Sequence, residues 1–290
     1  MISLYIVPVH QRGILPSESY KRTHGKKKPI EIPAYQMGIS VLSQPSIESL
    51  FPFIQTDGSQ NLERLCDELV SKYYGFHNYS LQLNSIIQPT VDYGDLKIIY
   101  RVIHHQIKPK EGVNHIPVLV ERTEEESKIT IDSLDEKSMD FEIASSVIEK
   151  MHHKMVQATE AKSNTDGYKV LLSLLPEFFD ARELQLAFEA LSGKAALSGH
   201  LLSNTLLKNY RLGYKDKDPN RPPVTGRNLI QKVASEVPYG DDPDNFHIVD
   251  QQTLDDLLLK KRLEYKKNYP EFFMKGGNRV TTLFRKKDGV

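Results

Sequence analysis

The stretch DGSQNLERLCDELVSKYYGF (57–76) repeats its apolar side chains at steps of three and four, at Leu62, Leu65, Cys66, Leu69, Val70 and Tyr73. That period predicts a helix from Asn61 to Tyr74 with one buried face, leaving Glu63, Arg64, Asp67, Glu68, Ser71 and Lys72 on the other. A polar turn containing Gly58 leads into it and Gly75 stops it. A glycine-led loop opening a helix with two or three carboxylates suits a metal and phosphate site. It equally suits an ordinary solvated surface helix, and residue types alone leave both readings open.

Working outward, SLYIVPV (3–9), YQMGISVL (35–42), LKIIYRVIH (96–104) and IPVLVE (116–121) are rich in β-branched and aromatic residues and read as strands. The basic loop YKRTHGKKKP separates the first two and is expected to be exposed. A second helix, FEIASSVIEKMHHKMVQA (141–158), aligns Ala144, Val147, Ile148, Met151 and Met155 on one stripe. Mixed strands with two helices predict an α/β or α+β domain over 1–160. A polar linker, EAKSNTDG (160–167), leads into a second domain over 168–290.

That second domain reads as mostly helical. In LLPEFFDARELQLAFEALSG (174–193), Asp180 and Glu183 have capping-box spacing, Leu184, Ala187, Phe188 and Leu191 form a buried face, and Gly193 ends the helix. Another helix is expected around 195–210. After the loop KDKDPNRPP, TGRNLIQKVASEV (225–237) reads as a short helix capped by Thr225. TLDDLLLKKRLEYKKNYP (253–270) reads as a helix capped by Thr253 and Asp256 and stopped by Pro270. KGGNRVTTLFRKK (275–287) reads as a glycine turn with an alternating strand.

Bulk properties narrow the function classes. A chain of 290 residues has room for two domains, and 39% hydrophobic with 26% charged residues is ordinary for a globular protein. No apolar run approaches the roughly 18–20 residues of a membrane span, and the opening MISLYIVPVHQRG lacks signal-peptide character. The single cysteine, Cys66, excludes an internal disulfide and a cysteine-rich zinc site. A cytoplasmic setting is the simplest expectation. Net charge is zero, but the front carries a small acidic excess and the back an equal basic one; Lys260 to Lys287 holds ten Lys or Arg against Glu264 and Glu271. That run is either a nucleic-acid footprint or a solvated terminal face.

Helix, helix, short helix, β hairpin is the order of a winged helix-turn-helix. The expected short helix offers Arg227, Asn228, Gln231 and Lys232 outward, side chains able to read base edges. The hairpin carries Lys275, Asn278, Arg279 and Arg285, suited to phosphates or a minor groove. An all-helical cap packed on the first domain remains the plain alternative. His104-His105 and His152-His153 are adjacent pairs rather than i, i+4 metal pairs and read as surface histidines. Tyr73-Tyr74 could stack on an adenine, but Tyr73 belongs to the apolar stripe. There is no GxxxxGK[ST], GxGxxG or GxSxG.

Several segments resemble the Nudix-related transcriptional regulators, in which a Nudix-like domain is fused to a winged helix. LLPEFFDARELQLAFEALSG (174–193) is similar to that family's helix-opening segment. TGRNLIQKV (225–233) resembles its recognition helix, with Leu229 in place of the usual aromatic, and RVTTLFRKK (279–287) its closing wing strand. FEIASSVIEKM looks like the last Nudix helix, 57–76 falls where the Nudix box belongs, and 84–105 where the following hairpin belongs. Extra lengths, about 194–224 and 235–274, depart from the family pattern.

The resemblance implies an α+β chain: a Nudix-like α/β/α sandwich followed by a mostly helical winged helix-turn-helix. It implies DNA as partner, held through Thr225, Arg227, Asn228, Gln231, Lys232, Lys275, Asn278, Arg279 and Arg285. It also implies a homodimer and a nucleotide effector such as ADP-ribose. Nudix hydrolases hold Mg²⁺ on paired glutamates of the box helix. With Gly75 as the box's closing glycine, that pair falls on Lys72 and Tyr73. With Asp67-Glu68-Leu69 aligned to Arg-Glu-apolar, it falls on Ser71 and Lys72. Either register leaves Glu63, Asp67 and Glu68 without their partners, which implies a degenerate, non-catalytic domain with no metal and no cofactor. The competing readings are a structural or partner-binding protein with both domains repurposed and, behind it, a divergent Nudix hydrolase.

Overall fold

Strand β1 (Ile2–Arg12) is the hub of the first sheet, since it pairs along both edges. The chain is described here from a computed structural model at residues 1–12, 19–22, 30–33, 36–44, 49–88, 95–105, 110–122, 127–160, 166–193, 199–207, 228–268 and 282–287. It divides into two units: Met1–Tyr20, Glu31–Leu174 and Glu189–Lys194 form the first, and Lys21–Ile30, Leu175–Phe188 and Ala195–Val290 the second.

After β1 come β2 (Ser19–Arg22) and β3 (Ile30–Pro33), which form a two-stranded ribbon, then β4 (Gln36–Leu42) and β5 (Phe53–Thr56). Helix α1 (Leu62–Leu69) runs into a wider π turn (Val70–Tyr74). Strands β6 (Tyr79–Ile87), β7 (Leu96–His104), β8 (Val113–Arg122) and β9 (Ser127–Ile131) follow, then helices α2 (Met139–Glu160) and α3 (Asp166–Ser173). The sheet order is β6-β7-β1-β4-β8-β9, with β5 beside β1. The β1–β7 pair is parallel; β5 and β4 share the other edge of β1, antiparallel, over residues 2–5 and 9–12. Pro8 falls in the gap between those two partners, where a missing backbone donor is tolerated in a central strand.

Alternation sorts the two faces of this sheet. Leu4, Ile6, Tyr100, Val102, Leu42 and Val113 share a core with Leu65, Cys66, Leu69, Val70, Tyr74 and Phe76 of the α1 segment. The opposite set, including Tyr5, Val7, Val9, Ile99 and Ile103, is also buried, and the Tyr5 hydroxyl donates to Met139 Sδ at the start of α2. Ala144, Val147, Ile148, Met151 and Met155, the expected stripe of α2, are all fully buried. The first unit is thus a mixed sheet with a helix on each face.

The second unit holds β10 (Phe178–Phe179), the first part of α4 (Ala181–Ser192), α5 (Gly199–Leu207), β11 (Ile230–Ala234), a short 3₁₀ turn with β12 (Phe246–Ile248), α6 (Gln251–Asn268) and β13 (Leu283–Lys286). Its four strands are ordered β10-β13-β11-β12. The capping box of α4 forms as read from the sequence. Asp180 Oδ1 accepts from the Glu183 amide at 2.8 Å, and Glu183 Oε2 accepts from the Asp180 amide at 3.1 Å.

Three expectations are corrected here. The described part of 225–237 contains strand β11 and no helix, and Asn228 sits at φ 39°, outside the right-handed helical region. The ladder partners that settle the matter, β13 and β12, lie far along the chain. Helix α6 starts earlier than expected and is capped by Asp250, whose carboxylate accepts from the Thr253 amide at 2.8 Å and its hydroxyl at 2.6 Å. The closing strand β13 pairs with β10 and β11 and not with the residues preceding it in a hairpin among the described residues. The expected turn at 275–278 lies outside the described residues.

Candidate functional site

The loop before α1 is built to aim a helix. Asp57 Oδ1 accepts from the Ser59 amide at 2.9 Å, and Asn61 Oδ1 accepts from the Arg64 amide at 3.0 Å, capping α1. Its apolar side is buried in the sheet core, so Arg64, Asp67, Glu68, Ser71 and Lys72 line a shallow, open hollow on the other side. Within it Arg64 Nε lies 3.2 Å from Glu68 Oε1, and the Tyr79 hydroxyl donates to Asp67 Oδ1 at 2.7 Å. Of the two box registers, the one pairing Ser71 with Lys72 puts both residues in the hollow. Tyr73 instead packs at the core margin, with Lys72 Nζ 4.8 Å above its ring. Cys66 is buried on the inner face, and burial pushes its thiol up to about 12, which makes it a packing residue and not a nucleophile. Tyr79 is likewise held up to about 12, by burial and by its bond to Asp67.

Of the nine residues expected to meet DNA, four are described. Thr225, Arg227, Lys275, Asn278 and Arg279 lie outside the described residues. Gln231 uses its amide nitrogen on the backbone carbonyls of Asp244 and Phe246, each at 3.1 Å. Arg285 pairs with Glu177 at 3.2 Å, and Asn228 is half-buried with its amide oxygen turned inward. Lys232 is exposed. Upstream of all of these, α5 exposes Asn204 and Thr205 while Ser203, Leu206 and Leu207 are buried. The Leu206 carbonyl accepts from the Leu229 amide at 2.8 Å, tying α5 to the start of β11. The sequence had marked a helix at 195–210 as the second helix of the expected order, with 225–233 and not this helix as the reading element.

The histidines depart most from expectation. His104 is fully buried and His152 nearly so, although both read as surface residues. His152 is held between the Leu191 carbonyl at 2.8 Å and Ser127 Oγ at 2.9 Å. His104 sits against Ser40 Oγ at 3.1 Å and under the Phe76 ring, with centroids 3.8 Å apart. Burial and the neighbouring His115 push its pKa down to about 3, so its imidazole is neutral. His10, His104 and His115 converge, and among the described residues they are the one group of three or more His, Cys, Asp or Glu poised to share an ion. The sequence could not signal this, because the three belong to different strands and none is at a ligand spacing.

No protein-family model matches the chain, and no curated protein matches it. Among solved structures it is similar to a MutT/nudix family protein from Enterococcus faecalis, with 11% identity and a TM-score of 0.44 over 70% of this chain and 79% of that one. It is also similar to Shewanella oneidensis NrtR, at 11% identity and TM-score 0.38 over 70% of this chain and 82% of that one. The same NrtR complexed with a 27mer DNA gives 11% identity and TM-score 0.42, over 70% and 81%.

Proposed function

We propose that this chain is a DNA-binding transcriptional regulator, with a non-catalytic Nudix-like domain over 1–160 and a winged helix over 168–290. The observation that carries this reading is the strand order β10-β13-β11 around the helix pair α4 and α5. A strand leading into a helix-turn-helix, with two later strands closing one antiparallel sheet, is the winged-helix plan. In a helix-turn-helix the second helix enters the major groove. On this reading α5, and not 225–233, is the reading helix, with Asn204 and Thr205 on its exposed side. Lys232, together with Thr225, Arg227, Lys275, Asn278 and Arg279, is assigned to phosphate contacts. Gln231, Arg285 and Asn228 are reassigned to holding the sheet, given their bonds and burial within it.

The non-catalytic reading rests on the donor set of the α1 hollow. Mg²⁺ takes near-octahedral oxygen ligands. Here Lys72 and Arg64 stand among the carboxylates, and Asp67 and Glu68 already accept from Tyr79 and Arg64. These residues do not fit the ion. We assign the domain to sensing a nucleotide such as ADP-ribose, in a cytoplasmic homodimer. The effector acts by binding the DNA-competent and incompetent states unequally.

The test is binding of selected genomic fragments against random DNA over a salt series. The expected result is tighter binding of the selected fragments, with log affinity falling linearly against log salt. Equal affinity for both pools would sink the regulator reading. Mg²⁺-dependent release of a phosphate product from ADP-ribose, abolished by Glu68→Gln, would overturn the non-catalytic reading.

A further inference from the structure

We propose that His10, His104 and His115 form a binding site for a transition-metal cation of the Zn²⁺ class, at one end of the first sheet and apart from the α1 hollow. The argument begins with register. His10 of β1 pairs directly with His104 of β7 on one side and with Gly38 of β4 on the other. Ser40, two residues beyond Gly38, pairs with His115 of β8. Since side chains alternate along a strand, all five positions lie on one face, the one carrying Tyr74 and Phe76.

Strand β4 stands between His10 and His115, and Gly38 is what lets the two meet. A Cβ at Gly38 would lie 2.5 Å from Cε1 of His10, so the ring rests on bare backbone and reaches across the strand. The His10 and His115 rings are then 4.1 Å apart by centroid, His10 and His104 4.9 Å, and His104 and His115 5.9 Å. One nitrogen from each ring lies within 4.8 Å of the others. A tetrahedral ion with Zn–N bonds of about 2.0–2.1 Å sets nitrogens roughly 3.3 Å apart, so the set closes by movements of at most about 1.5 Å.

The donor chemistry selects the ion. Three imidazoles without a carboxylate suit borderline cations such as Zn²⁺ and do not suit Mg²⁺ or Ca²⁺, which take oxygen. Two of the rings are almost fully buried, and Ser40 Oγ and the Phe76 ring set the rotation of His104. His115 is only half-buried as a residue, although its Nε2 is turned inward with the other two rings. An ion here would cross-link β1, β7 and β8 through one side chain from each.

The experiment uses the full-length, tag-free protein stripped with chelator and titrated with ZnCl₂ by calorimetry. CoCl₂ is added in parallel to read the visible bands of a tetrahedral nitrogen site. The expected result is one Zn²⁺ per chain, a rise in Tm on loading, and no rise with MgCl₂. His115→Ala and His115→Gln, both at a half-buried position, are expected to weaken Zn²⁺ binding by more than the roughly hundredfold that loss of an outer-shell partner costs, with the metal-free Tm close to the parent's. Absence of one-to-one binding, or binding unchanged in both variants, would overturn the site and leave the histidines as a packed imidazole cluster. Because neither variant touches the α1 hollow or the second unit, failure here leaves the proposed DNA binding standing.

Discussion

Glu183 shows how one side chain can serve a local and a tertiary purpose at once. Its carboxylate closes the capping box of α4 and also receives Lys261 Nζ at 3.1 Å, with both side chains about nine-tenths buried. Burial pushes Glu183 up to about 7, against the pull of Lys261. The folded chain therefore holds a proton between about pH 4.5 and 7 that the unfolded chain has released, so this group's contribution to stability falls as pH rises through that window. Lys261 stays charged throughout, since Glu264 holds it at 3.0 Å. Denaturant melts of the parent and Glu183→Gln at pH 5 and pH 8 test this: the parent's loss of stability between the two is expected to exceed the variant's. At Tyr74 the hydroxyl donates to the buried Ser40 carbonyl at 3.1 Å. Tyr74→Phe is expected to cost about 1 kcal/mol in a urea melt, the usual value for one such bond.

At the scale of elements, α1 and its π turn are the informative case. The Gly75 amide donates to the Val70 carbonyl at 2.8 Å, closing a five-residue turn, and Gly75 itself lies at φ 62°. Such a turn takes up one more residue than an α turn. The two box registers differ by one residue, one anchored on Gly75 and the other on Asp67-Glu68-Leu69, and the extra residue is absorbed here. Gly75→Ala forces an L side chain into the left-handed region and is expected to destabilise by about 1 kcal/mol. Asn61→Ala removes the cap bond to the Arg64 amide and is expected to cost about 1 kcal/mol. Both are read as shifts of the denaturant midpoint at unchanged m.

For the whole molecule, the proposed division of labour predicts two kinds of DNA-binding variant. Lys232→Ala is expected to weaken binding evenly across sequences and to reduce the salt slope by about 1. Asn204→Ala is expected to relax base preference by about 1–3 kcal/mol at one position. Competition titrations against a panel of operator variants separate the two patterns. Identical behaviour of both variants would show that α5 does not read bases.

Period and composition alone determined the central strands β1, β4, β7 and β8, the α1 and α2 stripes, and the α4 capping box. Each of these depends on neighbours within about four residues or on a hydrophobic repeat that a chain carries locally. Only tertiary pairing decided that IQKVA is a strand, because its ladder partner Leu283–Lys286 lies some fifty residues on and the helical spacing of Leu229, Ile230 and Val233 was equally good. Only the fold turned Arg285 towards Glu177, 108 residues away, and Gln231 towards the backbone of Asp244 and Phe246. The three histidines are the sharpest instance. Their meeting depends on strand order, on register, and on a glycine in the strand between them, none of which a one-dimensional spacing records.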